Sequence, residues 1–301
     1  MQYPAAGFAG LYDQTAHARK SIDMEIYELE DPAEERALIA AHTRGVIVRV
    51  LLNSAYEGKA TNAPAAATLR AGGVQMRFGV DSAIFHIKTT TFDGSVSDIS
   101  SANLTPQFYS TSRDATIVDS YPVHVAAIEQ TFDNDWNGDD PATDESSAPG
   151  LLWSPDSEQA MVDLITSAKV SIDFTSEELS DPYIYRALAA DAQRGIHCRI
   201  VMVDNPDWAK AFGQVTAAGC AVHVLPQDDT ELYMHEKLIL VDAITSQASA
   251  MMGSQNASYS SLSFNRELSI VLTASAAPTI VASMRSTFES DFALATPWPH
   301  S

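Results

Sequence analysis

Hydrophobic positions along the chain fall into two kinds of run that alternate. Short β-branched strings such as Val46-Ile47-Val48-Arg49-Val50-Leu51-Leu52 and Ile196-His197-Cys198-Arg199-Ile200-Val201-Met202 read as strands. Between them lie amphipathic stretches that read as helices. Two of these run into Arg44-Gly45 and Arg194-Gly195, where the glycine is the expected helix stop. Strands alternating with helices predict an α/β protein, with a mixed, mainly parallel sheet flanked by helices.

The alternation itself repeats. Ser21-Ile22-Asp23-Met24-Glu25-Ile26-Tyr27-Glu28-Leu29 returns as Ser171-Ile172-Asp173-Phe174-Thr175-Ser176-Glu177-Glu178-Leu179, and each copy is followed by Asp-Pro, Asp31-Pro32 and Asp181-Pro182. Farther on, Ala71-Gly72-Gly73-Val74 corresponds to Ala218-Gly219-Cys220-Ala221. The offset stays at roughly 150 residues, the mark of an internal duplication. We therefore expect two homologous repeats, residues 1–136 and 151–301, packed as a pseudo-twofold pair. The stretch 137–150 is polar, bears Pro and Gly, lacks periodicity and reads as the linker.

Charge changes the picture next. Lys and Arg total 18 against 39 Asp and Glu, a net charge of −21 over 301 residues. A protein that grips a polyanion along its length needs many cationic phosphate contacts, so extended nucleic-acid binding is disfavoured. Strong adsorption to anionic membranes is disfavoured for the same reason. No apolar run approaches the roughly 18 residues of a spanning helix, and Met1-Gln2-Tyr3-Pro4 does not open a signal peptide. The chain thus reads as soluble and monomeric, with the compartment open between cytoplasm and secretion. Its two cysteines, Cys198 and Cys220, stand outside any zinc-ligand spacing. The favoured reading is two small buried hydrophobes, with a disulfide as the alternative.

Each repeat carries His-x-Lys-x4-Asp: His86-Ile87-Lys88 with Asp93, and His235-Glu236-Lys237 with Asp242. On a strand, residues two apart share a face, so each His and Lys should point together toward substrate. The Asp lies at an odd offset and should be structural, Asp93-Gly94 being a hairpin-turn signal. An imidazole that attacks must be held in one tautomer, usually by a carboxylate on its other nitrogen. The candidates for that carboxylate are Asp114 and Glu267, in the pairs Arg113-Asp114 and Arg266-Glu267. Among the other histidines, His17, His42, His124, His197, His223 and His300 have no such setting and read as structural or exposed. Leu104, Phe108, Tyr109, Tyr259, Leu262 and Phe264 are candidates to line an apolar entrance.

Downstream of the motifs stand Ser100-Ser101-Ala102-Asn103 and Gly253-Ser254-Gln255-Asn256. With these, the chain resembles the phospholipase D superfamily, whose signature is His-x-Lys-x4-Asp followed by Gly-Ser-x-Asn, and among its members the bacterial phospholipase D-like phosphodiesterases. Ser100 departs from the family's glycine. The resemblance implies a phosphodiesterase needing no metal or other cofactor. It makes His86 the nucleophile that forms a phosphohistidine and His235 the acid and base. Lys88, Lys237, Asn103 and Asn256 then surround the non-bridging oxygens, while Ser101 and Ser254 are structural. A phospholipid is the expected substrate, by hydrolysis or transphosphatidylation, with transient contact to a lipid surface. The alternative is a metal-independent nuclease of the same superfamily.

Overall fold

The computed structural model describes residues 1–142, 147–228 and 230–298; His300 lies outside them. Equivalent helices show how the duplicated sequence makes duplicated structure. Asp31 accepts from the Ala33 amide at 2.8 Å and Asp181 from the Tyr183 amide at 2.8 Å. Each aspartate caps a helix whose first residue is proline, Pro32–Thr43 and Pro182–Gln193. Both helices run into glycines at positive φ, Gly45 at 96° and Gly195 at 88°, a backbone region that a side chain disfavours.

In the first half the strands are β1 (Ser21–Ile26), β2 (Ile47–Leu52), β3 (Gln75–Phe78), β4 (Lys88–Phe92), β5 (Val96–Ser100), β6 (Ser112–Arg113) and β7 (Thr116–Asp119). In the second they are β8 (Leu151–Ser154), β9 (Ser171–Thr175), β10 (His197–Val203), β11 (Ala221–Leu225), β12 (Tyr233–Met234), β13 (Lys237–Val241), β14 (Ser249–Gly253), β15 (Glu267–Thr273) and β16 (Thr296–Pro297). The order β3-β2-β1-β4-β5-β7 recurs as β11-β10-β9-β13-β14-β15, with β16 and β8 added at the edges. Strands β1, β2 and β3 run parallel, as do β9, β10 and β11, while β4, β5 and β7 and their counterparts β13, β14 and β15 pair antiparallel, giving two mixed sheets.

Ile22, Met24, Leu38, Leu52 and Leu69 pack the helices of the first half onto its sheet, and Ile172, Phe174, Leu188, Met202 and Val215 do the same in the second. A third cluster joins Ile87, Ile99, Ile117 and Ile128 to Leu238, Leu240, Met252, Leu268 and Phe288, so the halves share one apolar seam. Two buried ion pairs cross it: Arg266 to Asp135 at 2.9 Å and Arg113 to Asp291 at 2.7 Å. Charges taken out of water persist only when paired in this way.

The cysteines depart from the favoured reading. Strands β10 and β11 are parallel with Arg199 opposite Ala221, which sets Cys198 beside Cys220 at a Cα separation of 4.5 Å, and the two are joined by a disulfide. The register between two strands decided the matter, and spacing along the chain does not carry it. Among the described residues no helix is long and apolar enough to cross a membrane.

Candidate active site

The His-x-Lys motifs straddle strand starts. Lys88 opens β4 and Lys237 opens β13, while His86 and His235 precede those strands. The expectation of one continuous strand is corrected here, because the backbone ahead of each motif is drawn to the opposite half. The Arg266 amide donates to the Ile84 carbonyl at 2.8 Å, and the His235 amide donates to the Arg113 carbonyl at 3.2 Å. Strand β12 pairs in parallel with β6, matching Tyr233 to Ser112 and Met234 to Arg113.

This exchange has a chemical consequence. The carboxylate that holds each imidazole comes from the other repeat. His86 Nδ1 donates to Glu267 Oε2 at 2.8 Å, and His235 Nδ1 donates to Asp114 Oδ1 at 2.7 Å. The arginine beside each acid anchors it across the same seam, Arg266 on Asp135 and Arg113 on Asp291. Each Arg-acid pair is therefore an inter-repeat device, in which arginine fixes the strand and the acid fixes the ring. Further donors hold the acids in place. Ser261 Oγ and Asn265 Nδ2 donate to Glu267 Oε1 at 2.6 and 3.0 Å, and Ser101 Oγ donates to Asp114 Oδ1 at 2.6 Å. Burial alone would raise both carboxyls, yet the imidazole that each one faces, a nearby lysine and a serine hydroxyl together hold them below the ordinary range.

With Nδ1 engaged, Nε2 is the nitrogen of each ring left for chemistry. Burial lowers the His86 ring to about 4, with Lys88 and Lys237 pushing the same way against Glu267, so the ring is neutral at neutral pH. Lys88 is lowered to about 7 by burial and by Lys237. Its Nζ donates to the His86 carbonyl at 2.7 Å and lies 5.1 Å from the centre of the Tyr27 ring, which also meets the His86 ring edge-on.

Both histidines line one cavity of about 920 Å³, together with Asn103, Asn256 and Asp114. Asn103 Nδ2 donates to Glu28 Oε2 at 3.3 Å and Asn256 Nδ2 to Glu177 Oε2 at 3.4 Å. Glu177 also contacts Lys237 Nζ at 3.2 Å and His235 Nε2 at 3.4 Å. Sequence reasoning passed over both glutamates. A signal for Glu177 was present, since the repeat that otherwise matches well sets tyrosine at 27 against glutamate at 177.

Asp93 and Asp242 stand apart from the cavity. Each sits at positive φ and accepts three successive backbone amides, from residues 19–21 and 169–171, tying the hairpin to the start of β1 or β9. Ser254 bonds the backbone of Leu268. Ser101, by contrast, touches the acid of the site. Of the apolar candidates for an entrance, Phe108 and Tyr109 line the cavity, Leu104 and Leu262 are core, and Tyr259 and Phe264 are exposed outside its lining.

A family model described as "Cardiolipin synthase, PLD-like domain" matches residues 11–136 and again 161–292. The chain belongs to this phospholipase D-like family. Over 138 residues the phospholipase D-like chain is 30% identical to the mitochondrial cardiolipin hydrolase of Xenopus tropicalis, a match that covers 46% of this chain and 65% of that protein. Over 149 residues it is 34% identical to phospholipase D Y of Dictyostelium discoideum, covering 43% of this chain and 33% of that one. The chain thus spans less than two thirds of the length of these relatives. Its fold is similar to that of phosphatidylserine synthase from Haemophilus influenzae Rd KW20, with a TM-score of 0.76 at 12% identity, covering 99% of this chain and 86% of that one.

Proposed function

We propose that the chain is a phosphodiesterase that cleaves phospholipids, by hydrolysis or transfer to an alcohol, through a phosphohistidine on His86. The observation that carries this reading is the pair of carboxylate-held imidazoles, one from each repeat, on a single cavity. Neutral His86 attacks phosphorus through Nε2, forming a P–N bond as the P–O bond to the leaving alcohol breaks. His235 protonates that leaving oxygen, then takes a proton from the water or alcohol that cleaves the P–N bond. Lys88, Lys237, Asn103 and Asn256 stabilise the charge on the non-bridging oxygens. The roles divide because the surroundings differ. His86 has one carboxylate and an aromatic edge, whereas His235 has a carboxylate at each ring nitrogen while the site is empty.

We propose in addition that the chain acts as a monomer in transient contact with a lipid surface. The names of the relatives, cardiolipin hydrolase and phospholipase D, favour a lipid substrate. So does the cavity's acidic lining of Glu28, Glu57, Glu177, Glu178 and Asp228, which would repel the further phosphates of a nucleic acid. Phosphatidylcholine, cardiolipin and single-stranded DNA assayed side by side in EDTA test this. Lipid turnover with DNA left intact is the expected result. Cleavage of DNA alone would favour the nuclease, and rescue of an EDTA-inhibited enzyme by a divalent ion would remove the charge role from the lysines.

The pH profile follows from the same groups. His86 is competent once it is neutral, above about 4, and Lys88 carries its charge below about 7. Plotted against pH, kcat/KM should therefore rise through an acidic limb near the first value and fall through an alkaline limb near the second. In Lys88→Gln the alkaline limb should shift or vanish, and an unchanged limb would assign it to another group.

A further inference from the structure

The oxygen Glu177 Oε2 meets Lys237 Nζ at 3.2 Å, Asn256 Nδ2 at 3.4 Å and His235 Nε2 at 3.4 Å. These are the second-half groups that the proposed mechanism assigns to the phosphoryl group. The other oxygen, Oε1, accepts from the Tyr233 hydroxyl at 3.0 Å. Burial alone would raise this carboxyl, but His235, Lys237 and the Tyr233 hydroxyl hold it well below the ordinary range, so it is an anion. In the first half Glu28 likewise accepts from Asn103 at 3.3 Å, but the surroundings of the lysine and histidine are built otherwise. At the matching point Tyr27 sets a ring against His86 and Lys88, and Lys88 Nζ bonds the His86 carbonyl.

We propose that Glu177 is a resident anion, a carboxylate that occupies the phosphate cradle of the second repeat and must swing out before a phosphodiester can bind. This rests on the reading of the cavity as a phosphodiester site. Two anions cannot share one set of three partners, and at contact distance their repulsion is strong in a partly buried site. Substrate therefore competes with a side chain of the protein itself. The side chain borders the open cavity and stays a quarter exposed, which leaves it room to turn while Oε1 keeps its hold on Tyr233. The carboxylate keeps Lys237 and Asn256 converged while the site is empty, and it weakens the affinity of the site for every anion. Specificity follows, because only a ligand with enough contacts elsewhere in the cavity can displace it. Free phosphate and simple anions are held off, while a diester with an extended alcohol group is admitted.

Calorimetric titration of the full chain with inorganic phosphate tests this, in the wild type, Glu177→Gln, Glu177→Ala and Lys237→Gln. Glutamine keeps the length of the side chain and removes its charge. The dissociation constant should fall on the order of tenfold in Glu177→Gln. Alanine should also tighten binding and covers the case in which glutamine folds poorly. Added to either variant, Lys237→Gln should weaken binding again. Unchanged or weaker binding in both Glu177 variants, with wild-type binding still sensitive to Lys237→Gln, would overturn the resident anion and leave the phosphate site standing. Binding that ignores Lys237→Gln, or no binding in any form, would overturn the phosphate site and the resident anion together.

Discussion

His86→Ala should abolish turnover of every phosphodiester, by about 10⁴-fold or more, whatever the leaving group. Neither of the groups against its ring is arranged to take its place, since Lys88 Nζ donates to a carbonyl and the Tyr27 phenol is raised by burial and by Glu28. His235→Ala should behave differently. On an ordinary alcohol ester, loss of the proton donor should slow turnover roughly 10²–10⁴-fold. A p-nitrophenyl phosphodiester needs no proton on leaving, so this variant should release a rapid first equivalent of p-nitrophenolate per chain. Turnover should then stall, because the ring that activates water is missing. A pre-steady-state trace reads both effects. If the two variants respond alike to the leaving group, the division of roles is wrong.

Glu267→Gln should cost roughly 10²–10⁴-fold in kcat/KM while the chain stays folded. The size follows from which amide atom goes where. Asn265 Nδ2 can only donate, so it draws the glutamine carbonyl to the place of Oε1 and turns the amide nitrogen toward His86. Nδ1 must then accept, and the proton moves to Nε2, the atom that has to attack. Asp114→Asn escapes this trap. Its Oδ1 serves both Ser101 and His235, and the group at Oδ2 is the Ser112 hydroxyl, which can accept as readily as donate. Asparagine keeps the tautomer and loses only the charge, so the expected loss is at most about 10²-fold. The smaller loss should shrink further on the p-nitrophenyl ester, while that of Glu267→Gln should persist. Equal losses in the two variants would contradict the hydrogen-bond assignment.

Much of this site was legible in the chain. The duplicated motifs singled out His86, Lys88, His235 and Lys237, and the matching pairs Arg113-Asp114 and Arg266-Glu267 singled out the two acids. What the sequence could not carry is which acid serves which ring. That depends on β6 pairing with β12 and on the Ile84–Arg266 backbone bond, long-range registers that local pattern does not encode. The Cys198–Cys220 bond was hidden for the same reason. Likeness between the halves does not mark Glu177, because this residue belongs to their difference.

His86 should carry the phosphoryl group as a covalent intermediate. His235→Ala with a p-nitrophenyl phosphodiester labelled at phosphorus should accumulate the intermediate, since it can form without the acid and cannot be hydrolysed without the base. Quenching in alkaline denaturant preserves a P–N bond, and peptide mapping locates it. Close to one label per chain should appear, on the peptide bearing His86, and none in the His86→Ala/His235→Ala double variant. Product formed steadily with no bound label, or label retained in the double variant, would contradict this role of His86.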